Sequence, residues 1–351
     1  MTSVPENSPV IIWTEGGPKI GMGHVCRSLV VARELKKQGA NVLFFINGDP
    51  SVVARIKDEG FKYAVTALNK AGLRSIAERT PQSILIDTKK PIQNLIKQIR
   101  QVRSTRPKIV LMDNTTPARL EADIVIYPTA IFEDKMNWDG FKGKVFGGAE
   151  YIPVAESYVK ARHQAESFQL RPAYQILVTM GGSDPNRLTY IVVSSLLQLT
   201  DPIRIKVIIG PSFLSDDWLS EIERHNLPNV EFVRNQNDLA GIMAESHVAI
   251  TTLGTTLHEL AGVGVPAIII SNYETDSPDM ASYTKAGFNL PLGHHETLQP
   301  EMIQNAVKNL LLAPNQWQDM RNKGWEMIDG KGAVRLVSLL NRAGSGKLRA
   351  T

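Results

Sequence analysis

The feature that most constrains this 351-residue chain is a repeating alternation. Short runs that are apolar at nearly every position are followed by stretches whose apolar residues keep helical spacing. A strand with only one buried face alternates apolar and polar residues. A strand buried on both faces, as in a parallel sheet covered by helices, does not. In the first half the runs fall at Val10–Trp13, Asn41–Ile46, Ser83–Ile86, Lys108–Met112 and Asp123–Ile126. In the second half they fall at Tyr174–Met180, Arg204–Ile209, Val230–Val233, His247–Thr252 and Pro266–Ser271. Between the two sets, Ala155–Pro172 is polar and helix-compatible, which places a boundary near residue 165 and predicts units 1–165 and 166–351. The expected class is α/β, with two Rossmann-like domains whose parallel sheets face each other across a cleft. Ligands of such sheets collect at the carboxyl ends of the strands.

The length suits two domains rather than one. At 43% hydrophobic and 21% charged residues, the composition is that of a folded globular protein. The 39 basic residues are scattered among 35 acidic ones, a mildly basic surface without the clustering that a nucleic-acid partner requires. One cysteine, Cys26, excludes an internal disulfide framework and fits a reducing compartment. Met1–Pro9 is polar, and no apolar run reaches the ~18 residues of a membrane span. The expectation is a cytoplasmic protein with at most peripheral membrane association. No clustered His/Cys spacing suggests a metal, and no Gly-x-Ser-x-Gly elbow suggests a serine hydrolase.

Three strand-to-helix junctions carry residue types suited to a phosphate ligand. Gly21-Met22-Gly23-His24 opens a helix with Val25, Leu29, Ala32 and Leu35 on one stripe. Its glycines allow close approach, and the free N–H groups of a helix start favour negative charge. Gly181-Gly182-Ser183-Asp184-Pro185 reads partly as a cap, with Asp184 as N-cap and Pro185 as first helical residue; the paired glycines and the serine suit a backbone cradle for a diphosphate. Thr251–Glu259 offers Gly254, Thr255 and Thr256 as donors and Glu259 as an acceptor for ribose hydroxyls. The same Thr256 and Glu259 also fit a capping box.

These stretches, with MDN from Met112, FGGAEYIPV from Phe146 and DGKGAVRLV from Asp329, resemble in order and spacing the UDP-sugar hydrolases of pseudaminic acid synthesis and the related spore-coat polysaccharide proteins. That group is a branch of the GT-B glycosyltransferase architecture. The resemblance runs from Ile11 to about Leu340. It implies that His24 assists a water in attacking the anomeric carbon of a UDP-sugar, with no metal or redox cofactor. It implies that Gly182, Ser183, Gly254, Thr255, Thr256 and Glu259 hold the nucleoside diphosphate and that Asn235, Gln236 and Asn237 face the base. Sugar contacts are implied for Gly21, Gly23, Asp87, Asp113, Asn114, Thr275 and Asp276. Two positions depart from the pattern. Tyr273-Glu274-Thr275-Asp276 stands where the family has an Asn-Gln pair, and Asp87-Thr88-Lys89 where it has an Asp-x-Tyr-like element. Hydrolysis giving a free sugar is the leading expectation. Transfer of the sugar to an acceptor by an inverting glycosyltransferase, and silent binding of a nucleotide sugar, stand beside it.

Overall fold

The computed structural model describes residues 8–17, 20–66, 70–102, 106–167, 169–210, 213, 227–234 and 236–341. The first sheet holds β1 (Val10–Gly16), β2 (Val42–Gly48), β3 (Lys62–Val65), β4 (Ser83–Asp87), β5 (Lys108–Met112), β6 (Ile124–Tyr127) and β7 (Lys144–Gly147), in the order β3-β2-β1-β4-β5-β6-β7. The second holds β8 (Tyr174–Thr179), β9 (Ile203–Ile209), β10 (Val230–Arg234), β11 (Val248–Thr252), β12 (Ala267–Ser271) and β13 (Asn289–His294), in the order β10-β9-β8-β11-β12-β13. Every strand pair is parallel. The two-domain GT-B architecture expected from the sequence is therefore present.

The apolar runs explain the layering. In β1 every residue is buried. Val10 and Ile12 join a cluster with Val25 and Leu29 on one face, while Ile11 and Trp13 join Phe45, Ile84 and Ile86 on the other. The period-two alternation of strand side chains thus feeds two cores at once. All ten expected strands form. The sequence reading omits β3, β7 and β13. All three are outer strands whose faces stay partly exposed, so they carry no continuous apolar run. β7, at the other edge of the first sheet from β3, has no buried residue.

Chain order reverses between β1 and β4 in the first sheet and between β8 and β11 in the second. A crevice opens at the carboxyl ends of the strands at each reversal. The last described helix, Gly332–Leu340, does not stay with the second sheet. It crosses back and seals Leu336, Val337, Leu339 and Leu340 into the core of the first.

Candidate functional site

The two crevices face each other. The loop after β1 turns into the helix Gly23–Lys37, and the loop after β11 turns into the helix Thr255–Val263. A methyl group added at Gly182 would lie 2.9 Å from the Met22 side chain, and one at Gly23 would lie 3.6 Å from Thr255. The glycines expected on sequence grounds are thus where backbone from opposite domains closes to contact distance.

A cavity of about 570 Å³ lies between these loops. From the first domain it takes Gly21 and Gly23. From the second it takes Gly182, Ser183, Gln236, Asn237, Gly254, Thr255, Thr256 and Glu259. Asn235 lies outside the described residues. Cys26, Ser51 and Arg55 also line the cavity and were not singled out by sequence. Arg55 reaches across to donate to the Asn237 carbonyl at 3.2 Å.

Two local readings of the sequence are corrected. The Thr256–Glu259 capping box does not form, because the helix begins one residue earlier, at Thr255, with Gly254 at the cap and no side-chain bond to it. The first N–H groups of that helix are left for another acceptor. Met22, at the start of the helix Gly23–Lys37, also caps without a side chain, so two uncapped helix N-termini from opposite domains border one cavity. Asp184 does cap, but at longer reach: its carboxylate accepts from Leu188 and Thr189, both at 2.8 Å, and the helix starts at Leu188 rather than Pro185.

Glu259 sits half-buried in the cavity wall. Burial pushes its carboxyl up to about 8; a hydrogen bond from Tyr158 works against the shift and the nearby Asp238 adds to it. Burial likewise pushes the Cys26 thiol up to about 11, so it is not a ready nucleophile.

His24, one residue beyond Gly23, is not itself among the residues that line the cavity, and its side chain is 12% exposed. Its Nδ1 lies 2.6 Å from Oδ1 of Asp87, the last residue of β4, which is fully buried. Arg27, one helical turn after His24, forks onto both oxygens of Asp87, through Nε at 2.7 Å and Nη2 at 2.5 Å. Its other edge meets Asp113 Oδ2 at 3.2 Å through Nη1 and through Nη2. Burial alone would raise the Asp87 carboxyl, but the Arg27 and His24 contacts prevail and hold it well below the usual carboxylate range. Burial opposes the Arg27 charge too, and its pairing with Asp87 and Asp113 outweighs that. The sequence reading missed Arg27, although its spacing of three from His24 puts both on one helix face.

The sugar contacts expected from the resemblance divide. Asp87 serves His24 and Arg27 rather than open space. Asn114 is fully buried. Its amide donates to the Thr88 and Lys90 carbonyls at 2.6 and 3.0 Å, and its oxygen accepts from Thr116. It is a loop clamp, not a ligand contact. Asp276 accepts from Tyr273 N–H at 3.1 Å in the turn Glu274–Asp276, which also contains Thr275. Asp113 keeps a partly exposed carboxylate beside Lys89, at 3.8 Å. Among the described residues no three or more His, Cys, Asp or Glu are grouped to hold a metal ion, and no helix is long and apolar enough to cross a membrane.

No protein-family model matches the chain. The resemblance to the spore-coat polysaccharide proteins is borne out. The chain is 26% identical over 338 residues to spore coat polysaccharide biosynthesis protein SpsG of Bacillus subtilis, covering 94% of this chain and 96% of that one. It is 27% identical over 284 residues, 79% of its length, to an uncharacterized protein of Methanocaldococcus jannaschii, and the match spans 58% of that longer protein. Among solved structures, MurG of Acinetobacter baumannii superposes with a TM-score of 0.65 at 17% identity, covering 95% of this chain and 99% of that one. The UDP-GlcNAc 2-epimerase of Neisseria meningitidis bound to UDP-GlcNAc superposes with a TM-score of 0.62 at 12% identity, covering 94% and 99%.

Proposed function

We propose that the chain is a nucleotide-sugar enzyme of surface polysaccharide or nonulosonic acid synthesis that hydrolyses a UDP-linked sugar at its anomeric carbon. The observation that carries this reading is the meeting of two uncapped helix N-termini in a nucleotide-sized cavity, with a carboxylate-held histidine next in the chain to the lining residue Gly23. The helix starts at Gly23 and Thr255 offer N–H groups to the diphosphate, and Glu259 accepts from the ribose. The roles of the similar proteins, spore-coat polysaccharide synthesis for the Bacillus subtilis relative and UDP-GlcNAc epimerisation for the structural neighbour, support a ligand of this class.

In this mechanism Asp87 accepts the Nδ1 proton of His24, which leaves the Nε2 lone pair free, the division of labour of an acid-held imidazole base. Water oxygen bonds to the anomeric carbon as its proton passes to Nε2. The bond from that carbon to the diphosphate breaks, and the diphosphate leaves with the electron pair. The helix N–H groups and dipoles hold the charge that develops. One displacement inverts the anomeric configuration.

A panel of nucleotide sugars incubated with the full-length protein and read by mass spectrometry tests this. Free sugar plus UDP is expected. Sugar found only on an added acceptor would make the protein a transferase, and an isomerised nucleotide sugar would make it an epimerase. Tight UDP binding with no turnover across the panel would leave a binding protein.

A further inference from the structure

The guanidinium of Arg27 faces three acceptors with one nitrogen. Nη2 lies 2.5 Å from Asp87 Oδ1, 3.2 Å from Asp113 Oδ2 and 2.9 Å from His24 Nδ1. It carries two protons. One completes the side-on fork to Asp87, together with Nε at 2.7 Å from Oδ2. The other completes an end-on fork to Asp113 Oδ2, together with Nη1 at 3.2 Å. Nothing is left for His24 Nδ1, so the ring must bring its own proton to Asp87 Oδ1, 2.6 Å away.

We infer that Asp113, which does not touch His24, fixes the tautomer of His24 by occupying the far edge of Arg27, and is a positioning residue of the site. Without the Asp113 carboxylate, Arg27 is released to donate to Nδ1. The imidazole proton then moves to Nε2, and the nitrogen that should accept a proton from water is blocked. The consequence for rate rests on the proposed role of His24 as a base; the consequence for the tautomer does not.

The backbone at Asp113 makes a clean test possible. Its φ is +57°, in the left-handed region that asparagine and glycine enter most readily. Asp113→Asn keeps a side-chain acceptor at the same place, and Asp113→Gly removes it without backbone strain. The readout is the nitrogen spectrum of histidine-labelled full-length protein, with the His24 signals identified among the seven histidines by their loss in His24→Gln. Wild type and Asp113→Asn should show a protonated Nδ1 and a bare Nε2, whereas Asp113→Gly should show a mixture or the reverse. Arg27→Lys, which keeps a charge but cannot make a two-sided fork, should also lose the single tautomer. With a turned-over nucleotide sugar, Asp113→Gly should lower kcat by about 10²-fold with KM little changed, and Asp113→Asn should lower it less. A wild-type proton on Nε2 overturns the inference, and so does Asp113→Gly or Arg27→Lys with the wild-type tautomer. The spectra need no substrate, so a panel without turnover overturns the hydrolase reading alone.

Discussion

If His24 takes the proton of the attacking water, His24→Gln removes the acceptor while leaving the grip of the second domain intact. Turnover should fall ~10²- to 10⁴-fold, with UDP affinity nearly unchanged by calorimetry. Loss of affinity in step with turnover would reduce His24 to a helix-start residue. Glu259 gives a prediction with a sign. Burial holds its carboxyl up at about 8, and ribose hydroxyls donate better to a carboxylate than to a carboxylic acid. Below about pH 8, nucleotide binding must therefore expel a proton. Affinity rises with pH and levels off once the free group is ionised. Calorimetry at pH 7.5 in two buffers of different ionisation heat should register the released proton. Glu259→Gln should abolish that release and weaken UDP binding by roughly 1.5–3 kcal/mol. Equal heats in both buffers for the wild type would remove Glu259 from the ribose. His24 and Glu259 were legible in the sequence because each follows a glycine turn at a strand end. Arg27 was not, because an arginine inside a helix reads as solvated until the strands that bring Asp87 and Asp113 to it are known. Asn114 was misread because the backbone carbonyls that consume its amide belong to a loop some 25 residues upstream.

Helix starts show where local patterning misleads. Thr256 and Glu259 have the spacing of a capping box, yet the tight exit from β11 starts the helix at Thr255 and leaves its first amides without a side-chain partner. A cap that is missing in the middle of a cavity is a site kept for something else. Gly254 lets this be tested apart from stability. Its φ of 168° is ordinary extended backbone, and nothing lies within 4 Å of where a methyl group would stand. Gly254→Ala should melt within a degree or two of wild type but crowd the phosphate position and weaken UDP binding. Unchanged affinity would move the diphosphate away from this helix. Gly182→Ala should behave differently, because its methyl meets Met22 from the other domain at 2.9 Å and must disturb the fold of the loop as well. The expected strands formed because two buried faces leave an uninterrupted apolar run. Three of the four outer strands, β3, β7 and β13, escaped notice because exposure erases that run, whereas β10 keeps Val230, Phe232 and Val233 and was legible.

The molecule as a whole is joined twice. The chain passes from the first sheet to the second before β8, and returns with the helix Gly332–Leu340, whose carboxyl end is held by Lys108 donating to the Leu339 and Asn341 carbonyls at 2.9 and 2.8 Å. The alternation of strands and helices that predicts two units says nothing about where a final amphipathic helix will dock. Its Leu336, Val337, Leu339 and Leu340 are buried, and four such side chains contribute on the order of a whole domain's stability. A chain ending at Ile328 should lose hydrogen-exchange protection in β1, β2 and the helix Gly23–Lys37 while β8, β11 and β12 stay protected. Uniform loss across both sheets would show instead that the halves stand or fall together. The return of that helix also reverses the order in which the protein is completed on the ribosome. The second sheet and its helices are contiguous and close as they emerge, whereas the first unit waits for a segment made about 190 residues after its last strand, roughly 10–40 s later at ordinary elongation rates. Throughout that interval the part of the first core that Leu336, Val337, Leu339 and Leu340 complete faces solvent or a chaperone, so the amino-terminal half of this chain is the last to finish folding.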